Sequence, residues 1–196
     1  ASAPNSGPTS KLDAYLLGAA DIGTIVADPN LVGGEKFNQL RTPKWTLSSP
    51  ECAGTFEPAV AAAYEGAPGF TEVSGSVVHT PGQDQIHRVI ESVASFSSPE
   101  QANAFVAASA DKWQACAGKT VTETLNGRTF DWAFKDVTGA APKIAQERIR
   151  ADNAKDCHHV LHAAGSIVID VLTWGPPGGT GEAGKIAEQI AARIGA

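Results

Sequence analysis

Apolar positions recur along this chain with two periods, one helical and one of alternating residues. Leu12, Tyr15, Leu16 and Ala19 follow the i, i+3, i+4, i+7 spacing of a helix face with Ser10 placed to cap it, and a second short helix is expected over 21–26. Residues 27–50 are broken by Pro and Gly and read as a long irregular arm. A helix is expected over 51–64, weakened by Gly54, bent or restarted at Pro58 and stopped by Gly66, Pro68 and Gly69. Strands follow at 71–79 and 85–96, joined by a turn around Pro81 and Gly82. Ser98, Pro99 and Gln101 then supply an N-cap, a proline at the first helical position and a capping-box partner for a helix running to about Cys116.

Asn126-Gly127 lies between TVTETL and RTFDWAF, and a type I′ turn there needs positive φ at both central residues. A two-residue loop sets the register. It pairs Leu125 with Arg128, Glu123 with Phe130 and Val121 with Trp132, placing Phe130, Trp132 and Phe134 on one apolar face. Further strands are expected at 143–150, 157–163 and 166–174, the last two joined at Gly165-Ser166 by a type II′ turn. A final helix over 181–194 carries Ala183, Ile186, Ala187, Ile190 and Ile194 on one side. Consecutive strands joined by tight turns, between helices that enter singly, make an α+β domain with a mainly antiparallel sheet and no internal repeat.

Composition bounds what this scaffold serves. With 196 residues, 42% of them hydrophobic, the chain suits one domain over 11–196, preceded by a small, polar, proline-containing tether over 1–10. Fifteen Lys and Arg against 21 Asp and Glu leave a net charge of −6, a poor match for a phosphate backbone, so nucleic acid is not an expected partner. The longest apolar stretch, 167–172, is interrupted by Asp170 and too short to cross a bilayer. The chain has no Met and begins at Ala1, which reads as a processed chain whose targeting or anchoring segment lies upstream; any membrane attachment is expected only through that segment.

Cys52, Cys116 and Cys157 lack the spacing of a zinc ribbon or a redox CxxC pair. Bridging the first two would close a loop of about 65 residues and indicate an extracytoplasmic chain; the alternative is three buried thiols of a cytosolic protein. Gly179, Gly184 and Lys185 approach the P-loop pattern, but Ile186 stands where a magnesium-holding Ser or Thr is needed, so no phosphate site is read there. His158, His159 and His162 follow Cys157, yet strand alternation sends His158 and His162 to one face and Cys157 and His159 to the other, so no metal site is expected. The Gly165 turn places Asp170 diagonal to His159, on the face of Cys157 and Trp174. That could form a His and carboxylate pair, with a structural hydrogen bond as the default and a Cys157–His159 hydrolase as the enzymatic alternative. Glu91 and Arg148 are further polar residues on apolar strands. These four, Glu91, Arg148, His159 and Asp170, are the ligand-binding candidates, although solvent-facing positions explain Glu91 and Arg148 more cheaply.

The runs SPECAGTFEPAVAAAYEG, RVIESVASFSSPEQANAFVAASADKWQACAGKTVT and SIVIDVLTWG, with the Asn-Gly hairpin ending at Trp132 and the Ala- and Ile-rich last helix, resemble the PknH-like extracellular domain over roughly residues 11–196. That family supplies the sensor domain of a mycobacterial receptor serine/threonine kinase and occurs in stand-alone lipoproteins. The resemblance implies a twisted antiparallel sheet flanked by helices, with a deep cleft for an unidentified small-molecule or cell-envelope ligand. It implies no cofactor and no catalytic motif, and leaves the oligomeric state open. It also implies a Cys52–Cys116 disulfide and a second bridge from Cys157 to a cysteine seventeen positions later, where this chain has Trp174. The Gly165-Ser166 turn independently places 157 opposite 174, so Cys157 is expected to be a free thiol. The expected function is a non-enzymatic, extracytoplasmic, ligand-binding or sensor-like domain; the alternatives are the hydrolase or a structural envelope module that binds protein.

Overall fold

The computed structural model describes residues 10–82, 86–179 and 181–196, so residues 1–9 of the expected tether and the first residue of the strand expected at 85–96 lie outside the described residues. One antiparallel sheet organises the chain. Its strands are β1 (Val32–Phe37), β2 (Thr46–Leu47), β3 (Phe70–His79), β4 (Arg88–Phe96), β5 (Thr120–Leu125), β6 (Arg128–Phe134), β7 (Thr138–Ala140), β8 (Lys143–Arg150), β9 (Asp156–Ala164) and β10 (Ile167–Gly175). The order across the sheet is β1-β3-β4-β10-β9-β8-β6-β5-β2, with β7 paired to β8 off that path.

Both predicted hairpins form in the predicted register. Asn126 and Gly127 adopt φ of 51° and 75°, and Val121 faces Trp132. Gly165 adopts φ 60°, and β9 pairs β10 from Ala164↔Ile167 through Cys157↔Trp174. Short loops leave the strands one pairing that keeps their apolar residues inward, because a one-residue slip would turn every side chain to the other face.

Helices cover both faces. On one, α1 (Ala19–Val26) and α5 (Glu182–Ile194) bury Ile22, Ile186 and Ile190 against Val93, Val160, Ile169 and Val171. On the other, α2 (Ala53–Phe56), α3 (Ala61–Tyr64) and α4 (Pro99–Gln114) cover Ala94, Leu161 and Val168 with Tyr64, Val106 and Trp113. The Ser98 side chain accepts from the Gln101 amide, capping α4 as its sequence indicates.

Two expectations are corrected. Residues 11–15 form a 3-10 turn capped by Ser10 rather than the start of a helix reaching 19: the extended backbone of Leu16 ends that turn, and α1 begins only after Gly18. The arm over 27–50 is not irregular throughout: it supplies β1 at one edge of the sheet and β2 at the other. β1 contains Gly33 and Gly34 and is mostly exposed, so no alternation marks it; the free edge of β3 recruits it. The region expected as a helix over 51–64 is broken as anticipated, with a 3-10 turn, α2 and α3 separated around Pro58 and Ala59 at φ 57°.

The arm also sets the shape of the sheet. Nine flat strands would separate β1 from β2 by about 38 Å, whereas the residues from Phe37 to Thr46 reach at most about 32 Å. The sheet therefore curls, concave towards the strap formed by residues 38–45. Backbone bonds from the Arg41 amide to the Ala59 carbonyl (2.8 Å) and from the Ala61 amide to the Arg41 carbonyl (2.9 Å) pin that strap to the link between α2 and α3.

Glu91 links the sheet to the amino-terminal segment. Its Oε2 accepts from the Leu17 amide and its Oε1 from Ser76 Oγ, each at 2.9 Å, and the residue is fully buried. Burial, outweighing those two bonds, pushes its carboxyl from the ordinary 4.5 to about 7. The folded chain keeps this proton in a pH range where the unfolded chain releases it. Glu91 therefore lowers stability progressively as pH rises from 4.5 to about 7, by about 3 kcal/mol, and changes it little above. Urea titrations from pH 4.5 to 8 on the chain and on Glu91→Gln are expected to differ in slope across that window; parallel curves would place the ionised carboxylate in the fold without penalty.

Candidate functional site

The curl and the strap enclose a groove of about 940 Å³. Its floor is a row of directly opposed residues, Arg88 on β4, Trp174 on β10, Cys157 on β9, Arg148 on β8 and Phe134 on β6, of which Arg88, Trp174 and Arg148 reach the groove surface. The strap and Phe56 of α2 form one wall; Arg128, Phe130 and Trp132 of β6 form another. Five of the chain's six arginines, Arg41, Arg88, Arg128, Arg148 and Arg150, line this single concavity.

Glu57 organises the strap side. Arg41 Nη1 donates to one carboxylate oxygen at 2.7 Å and Arg88 Nη1 to the other at 3.1 Å. Burial works to raise this carboxyl, but Arg88 and Arg41 outweigh it and hold the group below the usual range. Arg148 is 4% exposed, with its guanidinium 4.1 Å from the Phe56 ring centroid and 4.8 Å from that of Trp132. Arg150 is held by Asp152 and lies 4.5 Å from the Phe130 ring centroid.

Beneath the wall lies a buried polar network. Asp170 Oδ1 is 2.5 Å from His159 Nε2, and Asp170 Oδ2 accepts from Tyr64 Oη at 2.7 Å and from the Ala59 amide at 3.1 Å. His159 Nδ1 is 2.7 Å from the Thr55 carbonyl oxygen, and the imidazole stacks on Trp113 at 4.4 Å. Thr55 Oγ1 donates to Gln146, whose amide nitrogen donates to the Trp113 carbonyl at 3.0 Å. Burial and the Asp170 carboxylate push the Tyr64 phenol well above its ordinary value, so it stays a donor. The network fixes the α2–α3 link and with it the position of Phe56 and Glu57.

Of the four ligand-binding candidates, the structure places only Arg148 on the groove surface. His159 and Asp170 form the predicted diagonal pair, but as support behind the wall. Glu91 points to the opposite face, towards Leu17, because its strand position has the parity of Val89 and Val93. The remaining arginines, Trp45 and Glu57 escaped sequence reading: they come from five separate segments, and no local pattern links them.

Cys52 and Cys116 are bonded and Cys157 is free and buried. Burial pushes the Cys157 thiol up to about 11 despite the favourable charge of Arg148. Both ring nitrogens of His159 face oxygen atoms, which leaves none for the sulfur. Alkylation of the folded chain by iodoacetamide at pH 7 is expected to be at least ten-fold slower than in urea; rapid labelling with a midpoint below neutrality would instead reveal an activated nucleophile. His158 and His162 lie on the other face of β9, as alternation requires, and His158 meets Asp156 and Glu147 with potential ligand atoms all within 4.8 Å.

This architecture has known relatives. The model of the PknH-like extracellular domain matches residues 8–193. The chain belongs to that family. It is 31% identical over 185 residues to the serine/threonine-protein kinase PknH of Mycobacterium bovis, covering 94% of this chain and 31% of that protein. The Mycobacterium tuberculosis PknH gives the same identity over the same length, with 29% of that protein covered. The chain thus spans about three tenths of the length of these curated relatives. The crystal structure of the extracellular domain of PknH from Mycobacterium tuberculosis superposes with a TM-score of 0.89 at 31% identity, covering 96% of this chain and 98% of that one. The fold class read from the family's segments therefore holds at the level of a mainly antiparallel sheet with helices, and within it this chain carries Trp174 opposite the free Cys157.

Proposed function

We propose that this chain is an extracytoplasmic, sensor-like domain that binds a ligand in the groove enclosed by the strap. The observation carrying this reading is the groove itself: a concavity of drug-sized to larger volume, walled by aromatic rings, with charged groups from separate strands converging on it. Its walls are preformed. The Cys52–Cys116 bridge and the Asp170 network hold one of them without a ligand, so binding need not bear the cost of ordering it. The disulfide and the extracellular family to which the chain belongs support an extracytoplasmic place, where such bridges persist. Attachment to a membrane, through a kinase or a lipid anchor, is part of this proposal and not a feature of the described residues. The hydrolase alternative loses support from the buried, high-pKa thiol and from a histidine engaged at both nitrogens.

Native mass spectrometry of the folded chain after exposure to a mycobacterial envelope extract tests the reading. A discrete 1:1 adduct is expected, lost in Trp45→Ala on the strap and kept in Glu188→Gln on α5. No adduct, or one indifferent to Trp45, would overturn the assignment of the groove.

A further inference from the structure

Buried polar atoms normally find a partner, and the exceptions are informative. Among the described residues, six buried side-chain nitrogen or oxygen atoms make no hydrogen bond. Three of them, Trp45 Nε1, Arg148 Nε and Trp174 Nε1, belong to residues lining the groove, although they come from the strap, β8 and β10. All three are donors that cannot accept. The two buried carboxylates of the groove are already engaged: Glu57 by Arg41 and Arg88, and Glu123 by the Trp132 indole, which donates to it at 2.9 Å. No ion pair to Arg148 forms among the described residues, although its charge helps hold Glu57 ionised, and the only hydrogen bond its side chain makes there is a long one, 3.5 Å, to the Thr55 carbonyl. Basic side chains outnumber acidic ones seven to three around the groove, on a chain whose net charge is −6.

A groove whose buried side chains hold unpartnered donors and a surplus of positive charge, with both buried carboxylates already engaged, is complementary to one class of molecule. Resting on the reading of the groove as a ligand site, we propose that it recognises a small organic oxyanion: phosphate or carboxylate carried on a ring or apolar body. Its oxygens accept from Arg148, Trp45 and Trp174, while its body packs on Phe56, Phe130 and Leu172. Arg148 is the centre of this recognition. Its guanidinium is pre-oriented between aromatic rings, so little side-chain freedom is lost when the anion arrives. Arg128, exposed at the rim beside Phe130, adds attraction at the entrance. A neutral ligand would cover the buried Arg148 guanidinium without giving it an ion-pair partner.

The test uses the four indole N–H resonances of the 15N-labelled chain, assigned with Trp→Phe variants. Four probes are titrated: inositol hexakisphosphate, benzene hexacarboxylate, myo-inositol and octyl glucoside. Both anions are expected to shift the Trp45 and Trp174 signals more than that of Trp113, with at least ten-fold weaker binding in Arg148→Met, three-fold weaker in Arg128→Gln and no change in Arg193→Gln on the opposite face. The tighter of the two anions identifies the acid group. Should Arg148→Met not fold, Trp174→Phe and Arg128→Gln carry the comparison. Equal shifts with octyl glucoside or myo-inositol, indifferent to these substitutions, would overturn the oxyanion class and keep the ligand site. Equal weakening by Arg128→Gln and Arg193→Gln would reduce the effect to general charge attraction and overturn it too. No shift at either indole with any probe would overturn the ligand site itself.

Discussion

Replacing Cys52 and Cys116 together by alanine is expected to destabilise the chain by about 4 kcal/mol, lowering the melting temperature by about 10 °C for a chain of this size. The bridge joins residues 64 apart, enclosing β3, β4 and α4, so its loss frees a large part of the unfolded chain. Both sulfurs are fully buried in the cluster that contains Phe56, Val121 and Trp132, and the truncation also leaves a gap beside the groove wall. Denaturant titration of the double variant beside the wild type, without reductant, gives the difference directly. Thiol titration of the unfolded, unreduced wild type is expected to count one free thiol, from Cys157. A loss below about 1 kcal/mol would mean that the strap and α4 already confine the unfolded ensemble.

Asp170→Ala is expected to cost a similar amount, about 3–5 kcal/mol. The substitution removes the acceptor for Tyr64 Oη and the Ala59 amide and the partner of His159 Nε2, leaving three polar groups stranded in a region from which water is excluded. Asp170→Asn keeps a carbonyl oxygen for one donor and is expected to lose less than half as much. The damage should also reach the groove. Because Ala59 sits at φ 57° between α2 and α3, release of its amide frees the link that carries Glu57 and Phe56. Urea denaturation at pH 7, with ring-current shifts of Phe56 as a second readout, checks both effects. A variant as stable as the parent would show that the link is held by packing of Tyr64 and Phe105 alone.

How much of the groove could be read in advance depends on distance along the chain. His159 and Asp170 flank one two-residue turn, so their diagonal contact follows from counting outward from Gly165, and the structure reproduces it. Glu91 has no such nearby marker. On a central strand buried on both faces, polarity does not reveal which way a residue points, and Glu91 turns away from the groove.

The amino-acid sequence by itself determined the two hairpins, the capped α4, the amphipathic α5 and the break at Pro58, because turn chemistry, capping and alternation act between residues only a few positions apart; the free Cys157 followed from the family resemblance together with Trp174 at the partner position. Only the tertiary structure decided that the arm over 27–50 edges the sheet on both sides, and that its strap is short enough to force the curl. That curl gathers Arg41, Arg88, Arg128, Arg148 and Arg150 from the strap, β4, β6 and β8 into one concavity. No local preference encodes such convergence. It follows from strand order and edge pairing, which are selected by packing the whole sheet between its two layers of helices.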